Sequence, residues 1–478
     1  DQKNGRPGYL PVQVRYKRML ERHSRPAQQS GSPLASPSPA AALDLINARF
    51  RTGREDDQLH VAHFWRLLEA SGWQAGGEPM AGIIGTDHLK RTFFTEGDLA
   101  GVAALALSRG RSAQTSHAVI WIHLTSKHIR TFSRTAAEGW KARSPLERYD
   151  HEHGFRVKVA ETAGKRTGGP GDPRPMVAPI YVRECNSCPW WSVCAPVLGT
   201  DDLSVQIDKS PLDVREISVL RSLGVRSVHD LGRVDLEALL PRYLPEVRHR
   251  EGAEQRLRLA ARRARMIAAG IELERTSHGP IELPKADVEI DWDIETSAAD
   301  RVYLWGFLVR DRSRPDQPGG YQPFVSFTDQ TAGEELELAR DAMGWLVGLL
   351  EANPDAHVFH YSDYEMIHLS KLASASGDPV LNRALELLRG RHVDLFETMR
   401  GNYFGAHGLS LKTAARAAAG FQWRDDTPGG LNSQSWFDEA THGPDEQTRA
   451  EARQRVLDYN EDDVRATMAL RDWLRTED

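Results

Sequence analysis

Between Ile290 and Thr296 the chain reads Ile-Asp-Trp-Asp-Ile-Glu-Thr, with apolar and acidic side chains in alternation. A period of two predicts a buried strand that carries Asp291, Asp293 and Glu295 on one face. Around it the pattern predicts strands over 286–295, 301–310 and 321–327, a helix over 333–352 and a short strand over 356–361. Two helices within 363–390 and a strand over 391–396 follow. A helical period closes the chain over 449–475, where Tyr459 and Asp463 fall one turn apart on one face. Strands first and alternating helices afterwards predict an α/β domain with a mixed sheet, bounded upstream by Pro280 and Pro284.

The earlier part has a different rhythm. A strand is expected over 9–17, a helix over 58–71 and a hairpin-like stretch at 82–85. Residues 25–42, rich in Pro, Ser and Ala, and residues 164–175, rich in Gly and Pro, predict loops. From Asp201 the character turns helical. Residues 219–231 have a helix–glycine turn–helix rhythm, and an arginine-rich helix is expected over 254–271. The fold expected is α/β and multidomain, divided at 1–200, 201–279 and 280–478. No Met opens the chain and no element precedes the strand at Tyr9, so we expect the sequence to begin inside a domain.

Composition narrows the classes. With 478 residues and 40% hydrophobic side chains there is material for about two to four packed domains. No apolar run approaches the roughly 18–20 residues of a membrane span, and no signal-peptide pattern opens the chain. The three cysteines all lie within 185–194, which excludes a disulfide framework and leads us to expect a reducing cytoplasm. A net charge of -6 does not favour nucleic acid, so such binding must rest on local basic surface. Arg256, Arg258, Arg262, Arg263 and Arg265 offer one, the alternative being a solvated helix face.

The acids are the chemistry-bearing feature. Carboxylates crowded on an apolar strand repel one another and resist burial unless cations neutralise them. Divalent metals do so and also cleave phosphodiesters, which points to a metal-dependent nuclease. The structural alternative for Asp293, Glu295 and Asp463 is a salt-bridged face, but the strand itself carries no cation. Asp291 reads as a strand-entry residue and Asp462 as a solvated helix position. Asp394 is either a cap or a substrate contact.

The order Asp-x-Glu on a first strand, an acid after a middle strand, and Tyr-x-x-x-Asp on a late helix resembles the DEDD-type 3′–5′ exonucleases of the ribonuclease H-like superfamily, nearest the YprB-type branch. Asp293 and Glu295 match the first motif, Tyr459 and Asp463 the last. In the middle, His360-Tyr-Ser-Asp-Tyr-Glu365 departs from the family's aromatic-Asp, which makes Glu365 the fourth acid with Asp363 as a substitute. Arg391-His-Val-Asp-Leu395 and Gly408-Leu-Ser-Leu-Lys412 are further matches. The resemblance implies that Asp293, Glu295, Glu365 and Asp463 hold two Mg²⁺ or Mn²⁺ ions about 3.5–4 Å apart, with Tyr459 aiming the attacking water.

Cys185, Cys188 and Cys194 are spaced C-x2-C-x5-C, a metal-ligand pattern more than one of buried structural thiols. The spacing resembles the iron–sulfur clamp of RecB-family nucleases, CRISPR-associated ones included. This implies a 4Fe-4S cluster, or zinc, with a fourth ligand that the chain does not supply. The core of such a PD-(D/E)XK domain needs an upstream Asp, for which Asp1 is poorly spaced, then Glu/Gln-x-Lys and Gln-x-x-x-Tyr. Gln13-Val-Arg15 and His60 to Phe64 stand in the latter two places, and Gln58 replaces His60 only by a shift of register. Arg cannot replace a pKa-tunable Lys, and Phe64 lacks a hydroxyl, so an impaired RecB-like domain is expected. Together the halves resemble a bacterial family that fuses a RecB-like domain to a YprB-type exonuclease. Residues 146–152 and 423–430 also fit that family. The expected activity is a DNA exonuclease serving repair, alone or beside a helicase. The alternatives are an RNA exonuclease and a non-catalytic nucleic-acid scaffold.

Overall fold

The structure is a computed structural model that describes residues 2–3, 6–15, 17–22, 34–36, 43–44, 48–51, 54–86, 119–133, 135–207, 212–314 and 319–476. Among the described residues it is a mixed α/β chain with two five-stranded sheets. Among the described residues no helix is long and apolar enough to cross a membrane.

The first sheet comprises β1 (Val12–Val14), β2 (Leu34–Ser36), β3 (Leu43–Asp44), β4 (Met80–Ile84) and β5 (Val119–His123), in the order β1-β4-β5-β2-β3. Helix α1 (Glu55–Ala70) buries Val61, Ala62 and Trp65 against Ile83 and Ile120 of the sheet. After the antiparallel pair β6 (Ile129–Phe132) and β7 (Trp140–Arg143), helix α2 (Pro145–Ala163) adds Leu146, and Ser144 and Glu147 close a reciprocal capping box at its start.

Several expectations change here. The strand expected over 9–17 shrinks to β1. Residues 82–85 are no hairpin, because β4 is an interior strand paired on both edges. Within 25–42, residues 34–36 form a strand paired with Val119–Trp121 partners, and the remainder lies outside the described residues, as does Asp1.

The helical segment packs α4 (Val214–Ser222), α5 (Val228–Arg233), α6 (Leu236–Tyr243) and α7 (Ala253–Ala268) around Leu220, Leu231, Tyr243 and Leu257, after a short α3 (Trp191–Leu198). Gly224 turns the chain between α4 and α5 at φ 91°, a conformation that favours glycine.

After β8 (Leu273–Arg275) come β9 (Val288–Thr296), β10 (Val302–Asp311) and β11 (Gly320–Val325), then α8 (Ala332–Ala352), β12 (His357–His360), α9 (Tyr364–Ser376), α10 (Pro379–Leu388) and β13 (His392–Asp394). α11 (Leu395–Asn402), β14 (Tyr403–Gly405), α12 (Leu411–Ala419), α13 (Gly430–His442) and α14 (Glu446–Leu474) complete the chain. The sheet order is β11-β10-β9-β12-β13, antiparallel on one side of β9 and parallel on the other. Ile290, Trp292 and Ile294 pack beneath α8 and α10, while helices α11 to α14 cover the opposite face.

On that opposite face the strand pattern is acidic, and the cations come from far along the chain. Arg471, fully buried, donates from Nη1 to both Asp291 oxygens at 2.8 Å, and its Nη2 lies 3.1 Å from Glu289. Arg475 adds a 2.7 Å contact to Glu289. Asp291 is therefore half of a buried ion pair, not a strand-entry residue. Replacing Arg471 with Met leaves two buried carboxylates short of a partner, and we expect it to remove about 3–5 kcal/mol in urea unfolding. A loss below about 1 kcal/mol would show that the clamp is dispensable.

Candidate metal centre on the acidic strand face

Helix α14 packs across the acidic face of β9. Asn460 lies above Asp293 and donates from Nδ2 to its Oδ2 at 2.7 Å, while the Tyr321 hydroxyl donates to Asn460 Oδ1 at 2.8 Å. This close approach requires Gly306, which pairs with Asp293 across the sheet: a Cβ there would lie 1.7 Å from Asn460 Oδ1. Glu295 accepts a 2.7 Å hydrogen bond from the Ser433 hydroxyl, which in turn lies 2.7 Å from the Tyr303 hydroxyl. Asp463 accepts from Trp423 Nε1 at 2.6 Å and from Lys412 Nζ at 3.2 Å. Lys412 also donates to the Tyr459 hydroxyl at 2.8 Å.

Asp293, Glu295 and Asp463 each bring one carboxylate oxygen within 4.8 Å of the others, and they form the one such grouping of three His, Cys, Asp or Glu among the described residues. Burial, reinforced by Asp463, raises Asp293 well above the ordinary carboxylate range and pushes Glu295 up to about 8. The donors holding Asp293 and Glu295 are neutral amides and hydroxyls, unlike the arginine on Asp291. A buried, all-oxygen set with this excess of negative charge suits Mg²⁺ or Mn²⁺.

Glu365 stands apart from the trio. It is buried at the start of α9, with Oε2 3.5 Å from His360 Nδ1 and without a hydrogen-bond partner. Its charge still raises Asp293. The turn that delivers it places Ser362 at φ 87°, held by a hydrogen bond from its backbone N–H to Asp394 at 2.9 Å. Asp363 is exposed. Asp394 caps α11 by accepting from Phe396 N at 2.8 Å, and Asp462 is buried and bound by Arg424. Neither Asp394 nor Asp462 points to the trio, and Asp462 is not a solvated helix position.

Other sequence candidates fall elsewhere. Gln13 of β1 and Arg15 just after it lie 3.0 and 2.7 Å from His60 Nδ1 on α1, and Phe64 stacks on His60. Beside them Arg15 and Lys17 share the buried Asp57 at 2.9 and 2.8 Å, and Gln58 contacts His128. Cys185, Cys188 and Cys194 are partly exposed free thiols whose sulfurs are not gathered within 4.8 Å. They are therefore not gathered around a single-ion site.

Of the arginines, Arg256 pairs with Glu216, Arg258 with Glu237 and Glu254, and Arg262 with Glu274. Arg263 is buried and donates to the Ala406 carbonyl at 2.7 Å, whereas Arg265 is exposed. Four of the five thus tie α7 to its neighbours, which argues against a phosphate groove here. Asn460, Lys412, Trp423 and Ser433 were not foreseen as site residues, although the first three lie within motifs quoted for the resemblance.

Residues 292–475 match the family model described as the RNase_H superfamily, so the C-terminal part is RNase H-like. Comparison with curated proteins gives no match, and neither does comparison with solved structures.

The raised carboxyls set a sign for pH. Between the ordinary Glu value of 4.5 and about 8, the folded chain holds more protons than the unfolded one, so metal-free stability falls as pH rises. In chelator, Tm should drop by a few °C between about pH 5 and about pH 8, and by less in Glu295→Gln. An equal drop in both proteins would remove Glu295 as its source.

Proposed function

We propose that this chain is a cation-dependent nuclease that removes nucleotides from the 3′ end of DNA. The observation that carries this reading is the largely buried trio formed by Asp293 and Glu295 of the central strand and Asp463 of α14 in an RNase H-like domain. These three, with Glu365 alongside, are the residues to hold divalent ions, which when bound neutralise the carboxylates and acidify a coordinated water.

The protein groups have separable roles. Asn460, Ser433 and Trp423 each aim one carboxylate by a hydrogen bond, so the site is ordered before any ligand arrives. The Tyr459 hydroxyl accepts from Lys412 and hydrogen-bonds to Asp463, so it stands directly beside the carboxylate trio. That places it to orient the attacking water. The metal set acts on the phosphate and is indifferent to the sugar, so RNA remains the alternative substrate.

A second reading draws on the first sheet. There the carboxylate nearest β1, Asp57, is held by Arg15 and Lys17. This supports a half that binds nucleic acid or scaffolds a repair complex without cleaving. It is compatible with an active C-terminal site.

The test is degradation of 5′-labelled single-stranded DNA and RNA in Mn²⁺. We expect a ladder shortening from the 3′ end, slowed on the order of a hundredfold or more by Asp293→Asn. Binding without cleavage by the wild type would favour the scaffold. Cleavage that survives the substitution would move the activity to the first sheet.

A further inference from the structure

The acids of β9 meet two kinds of cation. Asp291 is held through both oxygens by Nη1 of Arg471, a planar side chain with no exposure whose Nη2 turns to Glu289. Asp463, facing the lower acids, is met by a lysine whose side chain is 25% exposed. Arginine fixes a carboxylate through a rigid fork, whereas lysine offers a compact charge on a flexible stem. The first is a permanent clamp and the second can leave.

Three features of Lys412 have no structural explanation in the helix that carries it. It lies in the first turn of α12, where a positive charge opposes the helix dipole. Its ammonium is 3.2 Å from both Asp463 oxygens and 2.8 Å from the Tyr459 hydroxyl, at the mouth of the carboxylate trio. It is also the cation whose charge offsets both Asp293 and Glu295. Asp463 also has a second donor, Trp423 Nε1 at 2.6 Å.

We propose that Lys412 is the built-in counter-cation of this site: it holds Asp463 and Tyr459 in place while no divalent ion is bound, and competes with such an ion for the Asp463 carboxylate. The proposal rests on reading the trio as a cation site. Were two divalent ions (+4) held by the trio with Glu365 alongside (−4), the charges would balance. The displaced ammonium (+1) would then match the single negative charge of a phosphodiester. Lys412 is thus a positioning residue that changes partner as the site fills.

The test is Mn²⁺ titration of the full chain by calorimetry at fixed pH. Lys412→Met should bind Mn²⁺ about tenfold more tightly than wild type, because a competing charge is gone, and Lys412→Arg should stay within about threefold of wild type. Metal-free Lys412→Met should melt lower, yet gain more in Tm from Mn²⁺. Lost packing alone could only weaken binding, so a gain is diagnostic. Unchanged or weaker affinity in a folded Lys412→Met, or in Lys412→Gln should the former not fold, overturns the proposal, as does equal tightening in Lys412→Arg. Wild type that binds no Mn²⁺, or binds it equally well in Asp293→Asn, overturns the cation-site reading itself and the proposal with it.

Discussion

Four carboxylates, Glu289, Asp291, Asp293 and Glu295, leave one face of a single buried strand, and each must be neutralised or protonated. Ionised carboxyls out of water cost several kcal/mol apiece without a counter-charge. Half of the row is solved by protein: Arg471 and Arg475 close over Asp291 and Glu289. The other half is left with neutral donors, a third carboxylate from α14 and one lysine. That division within one strand separates scaffold from site. The upstream end fixes α14 to the sheet, and the downstream end stays short of positive charge.

Helix pitch makes the division work. Four residues of strand, from Asp291 to Glu295, advance about 13 Å. Eight residues of helix, from Arg471 back to Asp463, advance about 12 Å. The arginine clamp anchors one end of the helix whose earlier turns bring Asn460 and Asp463 to Asp293 and Glu295. Gly306 completes the register by admitting Asn460 against the neighbouring strand. The site is thus tied to the buried ion pairs at its far end, and disturbing them should be felt at the trio.

Much of this half was legible in sequence because its signals are local. Period-two alternation gave β9 and the shared face of its acids, and helical spacing gave Tyr459 with Asp463. Partnerships across long separations were not legible. Asp291 looked like a strand-entry residue because Arg471 is 180 positions away, and Asp462 looked solvated because Arg424 is 38 positions away. The arginines of α7 looked like a binding surface until Glu216, Glu237 and Glu274 were placed beside them. Lys412 stood in a quoted motif, yet its chemistry emerges only when its ammonium meets Asp463. In the first half, α2 was missed despite the capping box at Ser144, since its long polar face masks the periodicity.

The claim on which the account turns is that the lower acids of β9 gather divalent cations, not protons or arginines. Anomalous diffraction from Mn²⁺-soaked crystals tests it most directly. The account predicts Mn²⁺ density bounded by Asp293, Glu295 and Asp463, with the Lys412 ammonium moved off Asp463. Crystals in which these carboxylates stay bare while Lys412 remains on Asp463 would contradict it.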